Sequence, residues 1–196
     1  VISGYPFTTQ KLTDIQKTFA GDATDTGWQS LKSFYATSSF GNLALDITVS
    51  SPYTSNLTPS QVFGKNNSSY GDLGTYYVLE QAVAWYKTQT SSTLTAFDQD
   101  ANGFIDNVWM VYSCPNYSND STINAVSSSD NPFWAFTFWD FTTTANTSSP
   151  QPCNYAWASY DFMYEGYGTS LLDAHTYIHE TGHVLGLDDY YNYDST

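Results

Sequence analysis

Apolar and polar positions follow two different periods along the chain, and each period predicts a type of element. Apolar residues three to four positions apart predict helices over residues 9–20, 26–35 and 75–88. In the second of these helices, Trp28, Leu31 and Tyr35 are expected to face inward. A strict alternation over residues 42–50 instead predicts a strand, with one set of apolar side chains on a single face. These four side chains are Leu43, Leu45, Ile47 and Val49.

The second half of the chain continues this mixture of elements. Apolar and aromatic runs predict strands over residues 108–112, 132–141 and 155–163. A last helix is expected over residues 170–185, ending at Gly186. The polar stretches between them predict surface loops over residues 56–72, 97–107 and 116–130. Helices interspersed with strands indicate an α/β or α+β fold, and the length of 196 residues fits a single domain over residues 1–196.

The charge of the chain restricts its partners. There are 19 acidic residues against five lysines, no arginine, and a formal net charge of −14. Phosphate backbones would repel such a chain, which excludes nucleic acid as a partner. No run of about 18 apolar residues occurs, so no membrane span is expected. Clustered carboxylates favour divalent cations instead.

Three features favour a secreted protein. The only two cysteines, Cys114 and Cys153, flank a polar stretch and predict one disulfide. The chain begins with Val1 rather than an initiator methionine, so we expect it to be part of a longer secreted precursor. It also contains six sequons for N-glycosylation, at Asn56, Asn66, Asn67, Asn116, Asn119 and Asn146.

The segment that carries the clearest chemistry is a zinc motif near the end of the chain. His179 and His183 are four residues apart on the predicted helix, so both imidazoles can reach one ion. Glu180 follows the first histidine and is the expected general base toward a metal-activated water. Gly186 allows a sharp turn at the helix end, which would return Asp189 to the metal as the third ligand.

Other residues near the motif are alternatives for the third ligand. Asp188 is the neighbouring carboxylate, and Glu165 is a more distant possibility. His175 lies four residues before His179 on the same helical stripe, and a histidine there is expected to support the site rather than bind the metal.

An acidic loop predicts a second cation site. Oxygen donors occur at alternate positions beside a glycine, which is the pattern of loops that bind Ca²⁺. The twelfth position, where an EF-hand has a bidentate glutamate, is Trp109, so the expected site lies outside the EF-hand frame. The alternative is an acidic turn without an ion. The predicted calcium ligands are Asp98, Asp100, Asn102, Phe104 and Asp106.

With these segments in place, the chain resembles the immune inhibitor A-like family of secreted metallopeptidases. The similar stretches are residues 26–49, 97–112 and 173–191, in the same order along the chain. The HExxHxxGxxD motif also resembles that of snapalysin, a metzincin with an aspartate as third zinc ligand. The resemblance implies a metzincin-like zincin domain, with a twisted, mainly parallel sheet packed on helices, zinc in the cleft and calcium on the scaffold.

The leading hypothesis is therefore a zinc-dependent extracellular endopeptidase acting on protein or peptide substrates. An alternative is a glycosylated, calcium-stabilised structural or adhesive module built on an inactive peptidase fold. A non-proteolytic zinc hydrolase is a weaker alternative, because no segment is typical of phosphate or nucleotide recognition.

Overall fold

The structure is a computed structural model that describes residues 1–65, 74–127, 130–166 and 171–189. Its longest helices are α1 and α5, and two short 3-10 helices lie at Thr95–Phe97 and Tyr160–Tyr164. Among the described residues, no helix has the length and apolar character needed to cross a bilayer. The α-helices are α1 (Thr9–Ala20), α2 (Ala23–Thr26), α3 (Leu31–Ser38), α4 (Pro59–Phe63), α5 (Gly74–Thr90), α6 (Ser121–Asn124) and α7 (His175–Val184).

In the part of the chain that the structure describes, the strands form two small sheets. A three-stranded sheet has the order β2-β5-β3, in which β2 and β5 are parallel while β3 and β5 are antiparallel. A separate parallel pair joins β1 to β4. The fold is thus mixed α/β, and its main sheet is mixed rather than mainly parallel. The strand bounds are β1 (Phe104–Ile105), β2 (Val108–Tyr112), β3 (Phe136–Trp139), β4 (Gln151–Pro152) and β5 (Asn154–Ser159).

The three-stranded sheet separates two apolar cores. On one face, Tyr155 and Trp157 of β5 pack with residues of α5 such as Leu79. On the other face, Ala158 of β5 and Trp109 of β2 pack with residues of α1, α3 and α7. Because successive side chains of a strand point to opposite faces, the sheet has helices on both sides.

The helix predicted over residues 26–35 is wrong in its boundaries. The chain forms α2 and α3 instead, separated at Gly27, which has a φ of +72° and ends α2 in the left-handed region. Ser30 then begins α3, because its hydroxyl accepts a hydrogen bond from the backbone N–H of Ser33. Leu31 and Tyr35 are buried as expected, but Trp28 lies in the break between the helices and is 60% exposed.

The strand predicted over residues 42–50 is also wrong, because this segment belongs to no sheet of the described residues. Its alternation is nevertheless real. Leu43, Leu45, Ile47 and Val49 are half-buried against the core that contains α7, while the residues between them are exposed. The period of two predicts which side chains are buried, but it does not reveal whether a neighbouring strand supplies hydrogen bonds.

Four hydrogen bonds from four different elements hold α7 beneath the sheet. The Tyr35 hydroxyl of α3 donates to the carbonyl of Ile178 at 2.7 Å, and the Trp109 indole N–H of β2 donates to Thr181 Oγ1 at 3.0 Å. At the end of β5, the carbonyl of Ser159 accepts from the Tyr177 hydroxyl at 2.7 Å. The fourth bond comes from β3, where the Thr137 hydroxyl donates to the carbonyl of Glu180 in the zinc motif at 2.8 Å.

The predicted disulfide is not formed, and both cysteines are free. The parallel register pairs Val108 with Tyr155 and Tyr112 with Ser159. Cys114 lies two residues after the end of β2, whereas Cys153 directly precedes the first residue of β5, so the two cysteines lie at opposite ends of the sheet. At about 3.3 Å per residue this separation is roughly 25 Å, far beyond the ~7 Å limit between the Cα atoms of a disulfide.

Candidate metal centre

The sequence motif brings three potential metal ligands together on one side of α7. His179 Nε2 and His183 Nε2 lie 3.2 Å apart. Asp189 Oδ1 lies 3.2 Å from the Nε2 atom of His179 and 3.3 Å from that of His183. The three atoms therefore form a nearly equilateral triangle.

The size of this triangle fits a tetrahedral zinc site. Zinc binds imidazole nitrogen and carboxylate oxygen at about 2.0–2.1 Å, so two ligands of a regular tetrahedron lie about 3.3 Å apart. The three distances of 3.2, 3.2 and 3.3 Å match this edge. Three protein ligands leave the fourth position open, which is the arrangement of catalytic rather than structural zinc sites. The zinc assignment of the triad stays a prediction.

The turn after α7 is what returns Asp189 to the histidines. The backbone N–H of Gly186 donates to the carbonyl of His183 at 2.8 Å, and the N–H of Leu187 donates to the carbonyl of Gly182 at 3.0 Å. Gly186 has a φ of +84°, a conformation that a residue with a side chain rarely adopts. The glycine of the motif is therefore required for the backbone reversal.

The same turn also orients one imidazole. His183 Nδ1 lies 2.8 Å from the carbonyl oxygen of Leu187. Because a carbonyl can only accept, Nδ1 must carry a proton, and in the neutral ring Nε2 then presents its lone pair toward the triangle. The backbone thus selects the tautomer that a metal requires.

Glu180 is buried beside the triangle and is held by β3. The Thr137 hydroxyl lies 2.8 Å from the carbonyl oxygen of Glu180 and 3.2 Å from its Oε2. Burial raises the pKa of the Glu180 carboxyl to about 6, whereas the Thr137 hydrogen bond and the nearby His183 act in the opposite direction. A carboxylate with a pKa near neutrality is suited to general acid–base chemistry. Since Oε2 lies within hydrogen-bond distance of the Thr137 hydroxyl, Oε1 is the oxygen left for a proton transfer.

The alternative ligands lie elsewhere. Asp188 is exposed and is not part of the triangle. Glu165 Oε1 accepts hydrogen bonds from the side-chain amides of Asn116 and Asn119 at 3.0 and 2.8 Å. His175 is at the start of α7, where its Nδ1 lies 2.9 Å from Asp173 Oδ2. The helix begins there rather than at residue 170, and Asp173 Oδ1 accepts from the backbone N–H of its first residue, His175, at 2.8 Å.

Sequence reasoning missed Thr137 as a contact of Glu180. The only local signal is the segment Phe-Thr-Phe-Trp, in which one polar residue stands between two phenylalanines. This pattern indicates that Thr137 faces away from Phe136 and Phe138. It does not reveal that α7, about 40 residues later in the chain, lies on that side.

The acidic loop also brings carboxylates together. Asp98, Asp100 and Asp106 each have an oxygen within 4.8 Å of the others, and among the described residues no lysine forms an ion pair with them. Burial, followed by the charges of Asp100 and Asp98, raises the pKa of Asp106. The Asn102 side-chain oxygen instead accepts from the backbone N–H of Phe104 at 2.8 Å. Phe104 itself belongs to β1, where it pairs with Gln151.

The sequons differ in their accessibility. Asn56, Asn119 and Asn146 are exposed, whereas Asn66 and Asn67 lie outside the described residues. Asn116 is fully buried, and its amide nitrogen donates to Asp161 at 3.3 Å and to Glu165 at 3.0 Å. A glycan on that nitrogen would displace both hydrogen bonds.

Comparisons with protein-family models, with curated proteins and with solved structures found no match for this chain.

Proposed function

We propose that this chain is a zinc-dependent endopeptidase. The observation that carries the proposal is the triangle of His179 Nε2, His183 Nε2 and Asp189 Oδ1, with the Glu180 carboxylate beside it. Two neutral imidazoles and one carboxylate are a donor set that zinc accepts. When bound, a zinc ion supplies Lewis-acid activation of a water molecule and of a peptide carbonyl.

The residues of the chain supply the proton transfers. Glu180 takes a proton from the attacking water at Oε1 as the O–H bond breaks and the new bond to the peptide carbon forms. It then delivers that proton to the leaving amine nitrogen as the C–N bond breaks. The Thr137 hydroxyl, 3.2 Å from Oε2, restricts the orientation of the carboxylate in both steps.

The edge of β3 supports a peptide as the substrate. The backbone N–H of Asp140 donates to the carbonyl of Cys153 at 2.7 Å, directly across from it in the ladder. Hydrogen-bonded and non-hydrogen-bonded pairs alternate in an antiparallel ladder, so the N–H and C=O groups of Thr137 and Trp139 face the free edge of the sheet. An extended chain can pair with such an edge, and Thr137 would align it with Glu180.

Zinc content and cleavage together test the proposal. Purified chain without chelators is expected to hold about one zinc per molecule and to cleave an unfolded protein substrate. Glu180→Gln should keep the zinc and lose cleavage by at least ~100-fold, because the general base is removed. Glu165→Gln is the matched control, since that carboxylate binds two asparagines away from the triangle and its loss should leave cleavage intact. Undiminished cleavage by Glu180→Gln would refute the mechanism.

The acidic loop is proposed to bind Ca²⁺ as a structural ion. Three carboxylates within 4.8 Å of one another repel, and a divalent cation would remove that repulsion. Calcium should therefore raise the Tm of the zinc-loaded chain, and Asp100→Ala should abolish the increase. Asp46→Ala, which removes an exposed carboxylate outside the loop, is the control and should retain it. An identical response of both variants would leave the loop an acidic turn.

A further inference from the structure

One aromatic residue of the edge strand, Trp139, lies outside both cores. Phe136 and Phe138 pack against Tyr155 in the core that contains α5, with ring centroids 6.1 and 6.0 Å from its ring. Side chains of a strand alternate between faces, so Trp139 shares the opposite face with Thr137, which contacts Glu180. Among the described residues, Trp139 packs in neither apolar core.

Phe141 continues this row beyond the end of β3. The Asp140–Cys153 hydrogen bond extends the antiparallel pairing by one residue, and Phe141 is the first residue of the turn that follows, two positions after Trp139. Its side chain is 87% exposed. We call Trp139 and Phe141 the aromatic row.

The turn that carries Phe141 is held by a buried carboxylate. Asp140 Oδ1 accepts from both the backbone N–H and the hydroxyl of Thr142, at 2.7 and 2.6 Å. Its Oδ2 accepts from the hydroxyl of Thr143 at 3.2 Å. Phe141 is therefore held in solvent on an ordered turn, although an aromatic ring gains by leaving water.

The aromatic row is continuous with the edge on which a peptide would pair. At about 3.3 Å per residue, Trp139 lies roughly 7 Å along the strand from Thr137, and Phe141 follows two residues later in the turn. A peptide paired with this edge would place its own side chains opposite these positions on the same face. The residue two positions from the one aligned with Thr137 would then lie opposite Trp139, and the next two residues would lie beside the turn that carries Phe141.

We propose that the aromatic row is a substrate subsite that selects an apolar or aromatic side chain two to four residues to one side of the scissile bond. The proposal rests on the endopeptidase function proposed above. The apolar class follows from the two rings, since stacked or edge-to-face aromatic contacts stabilise a complex beyond the area that they bury. An antiparallel peptide would place the selected residue on the amino-terminal side of the scissile bond, and a parallel peptide would place it on the carboxyl-terminal side.

Matched peptides and matched variants test the subsite. Cleavage of a peptide mixture by the zinc-loaded chain, followed by mass spectrometry, should show apolar or aromatic residues enriched at one position two to four residues from the cleaved bond. Two peptides that differ only there, as Phe or Ser, then give the preference in kcat/KM. Phe141→Ala should reduce this preference about tenfold. Phe40→Ala removes an equally exposed ring, 94% exposed after α3, and should leave it unchanged.

Binding to an inactive variant separates the subsite from the chemistry. The same two peptides, labelled with a fluorophore, are titrated into zinc-loaded Glu180→Gln with and without Phe141→Ala, and the Kd is read from anisotropy. Tighter binding of the Phe peptide that is lost with Phe141 supports the subsite even if the wild-type chain cleaves nothing. Equal Kd values for the two peptides would overturn it, even if the wild-type chain is an active peptidase.

Discussion

The contact between Thr137 and Glu180 allows a sharp test of how the site is organised. Thr137→Val replaces the hydroxyl with a methyl group of similar size, so the shape of β3 is kept while the hydrogen bonds to Glu180 are lost. The hydroxyl lies 2.8 Å from the Glu180 carbonyl oxygen and 3.2 Å from Oε2. Since a hydroxyl carries one proton, it can donate to only one of these oxygens at a time.

The expected magnitude follows from the charge of the acceptor. A hydrogen bond to a charged group contributes roughly 1.5–3 kcal/mol, and this carboxylate is buried. The hydrogen bond lowers the pKa of Glu180 and so opposes the effect of burial. Without it, the pKa should rise above its value of about 6, and the side chain should lose its fixed orientation. We expect kcat to fall about 10- to 100-fold with KM nearly unchanged, because the lost interaction orients the base rather than the substrate.

The assay compares kcat, KM and zinc content for three variants. Thr137→Ser keeps the hydroxyl and should retain most of the wild-type kcat. Thr75→Val is the matched control, because Thr75 Oγ1 makes a buried side-chain hydrogen bond, 2.7 Å from the Tyr155 hydroxyl, with no contact to Glu180. It should lower the Tm without changing kcat. A wild-type kcat for Thr137→Val, or an equal fall for Thr75→Val, would refute the positioning role.

Three further predictions address the turn, the loop and the thiols. Asp189→Ala should weaken zinc binding at least ~100-fold, whereas Asp188→Ala should not; a competitive chelator titration decides between the two carboxylates. Gly103→Ala should lower the Tm far more than Gly41→Ala: both glycines have a positive φ, but only at Gly103 would the new Cβ lie 2.6 Å from a backbone nitrogen. Equal losses would contradict the close packing. Both cysteines should react with a thiol reagent in denaturant without reductant. Reaction only after reductant is added would mean that they form a disulfide.

Elements with a strong local pattern were predictable. The helix expected over residues 75–88 is observed as α5 (Gly74–Thr90), and the strand over residues 108–112 is confirmed as β2 (Val108–Tyr112). The predicted strand over residues 155–163 is a strand only to Ser159 and continues as a 3-10 helix. Ser159 ends the strand because its side chain accepts from the backbone N–H of Asp161, which is a side-chain cap that apolar periodicity does not detect.

The spacing of the zinc motif was informative for a similar reason. A helix places residues four apart on one face, and the glycine allows the turn, so local geometry is enough to bring His179, His183 and Asp189 together. The contacts that complete the surroundings depend on distant segments. Neither the partner of Glu180 on β3 nor the ~25 Å that separates the cysteines can be derived without the strand order and register.

The anchoring of α7 has a consequence for metal exchange. Its four hydrogen bonds to α3, β2, β3 and the end of β5 do not involve any metal ligand side chain. The helix is therefore ordered by the scaffold, and binding an ion requires little loss of backbone entropy. Chelation should then leave the amide hydrogen-exchange protection of α7 almost unchanged. An ion at the proposed zinc site would then be released and recaptured without unfolding of the chain, so readdition of the metal should restore the site without a refolding lag.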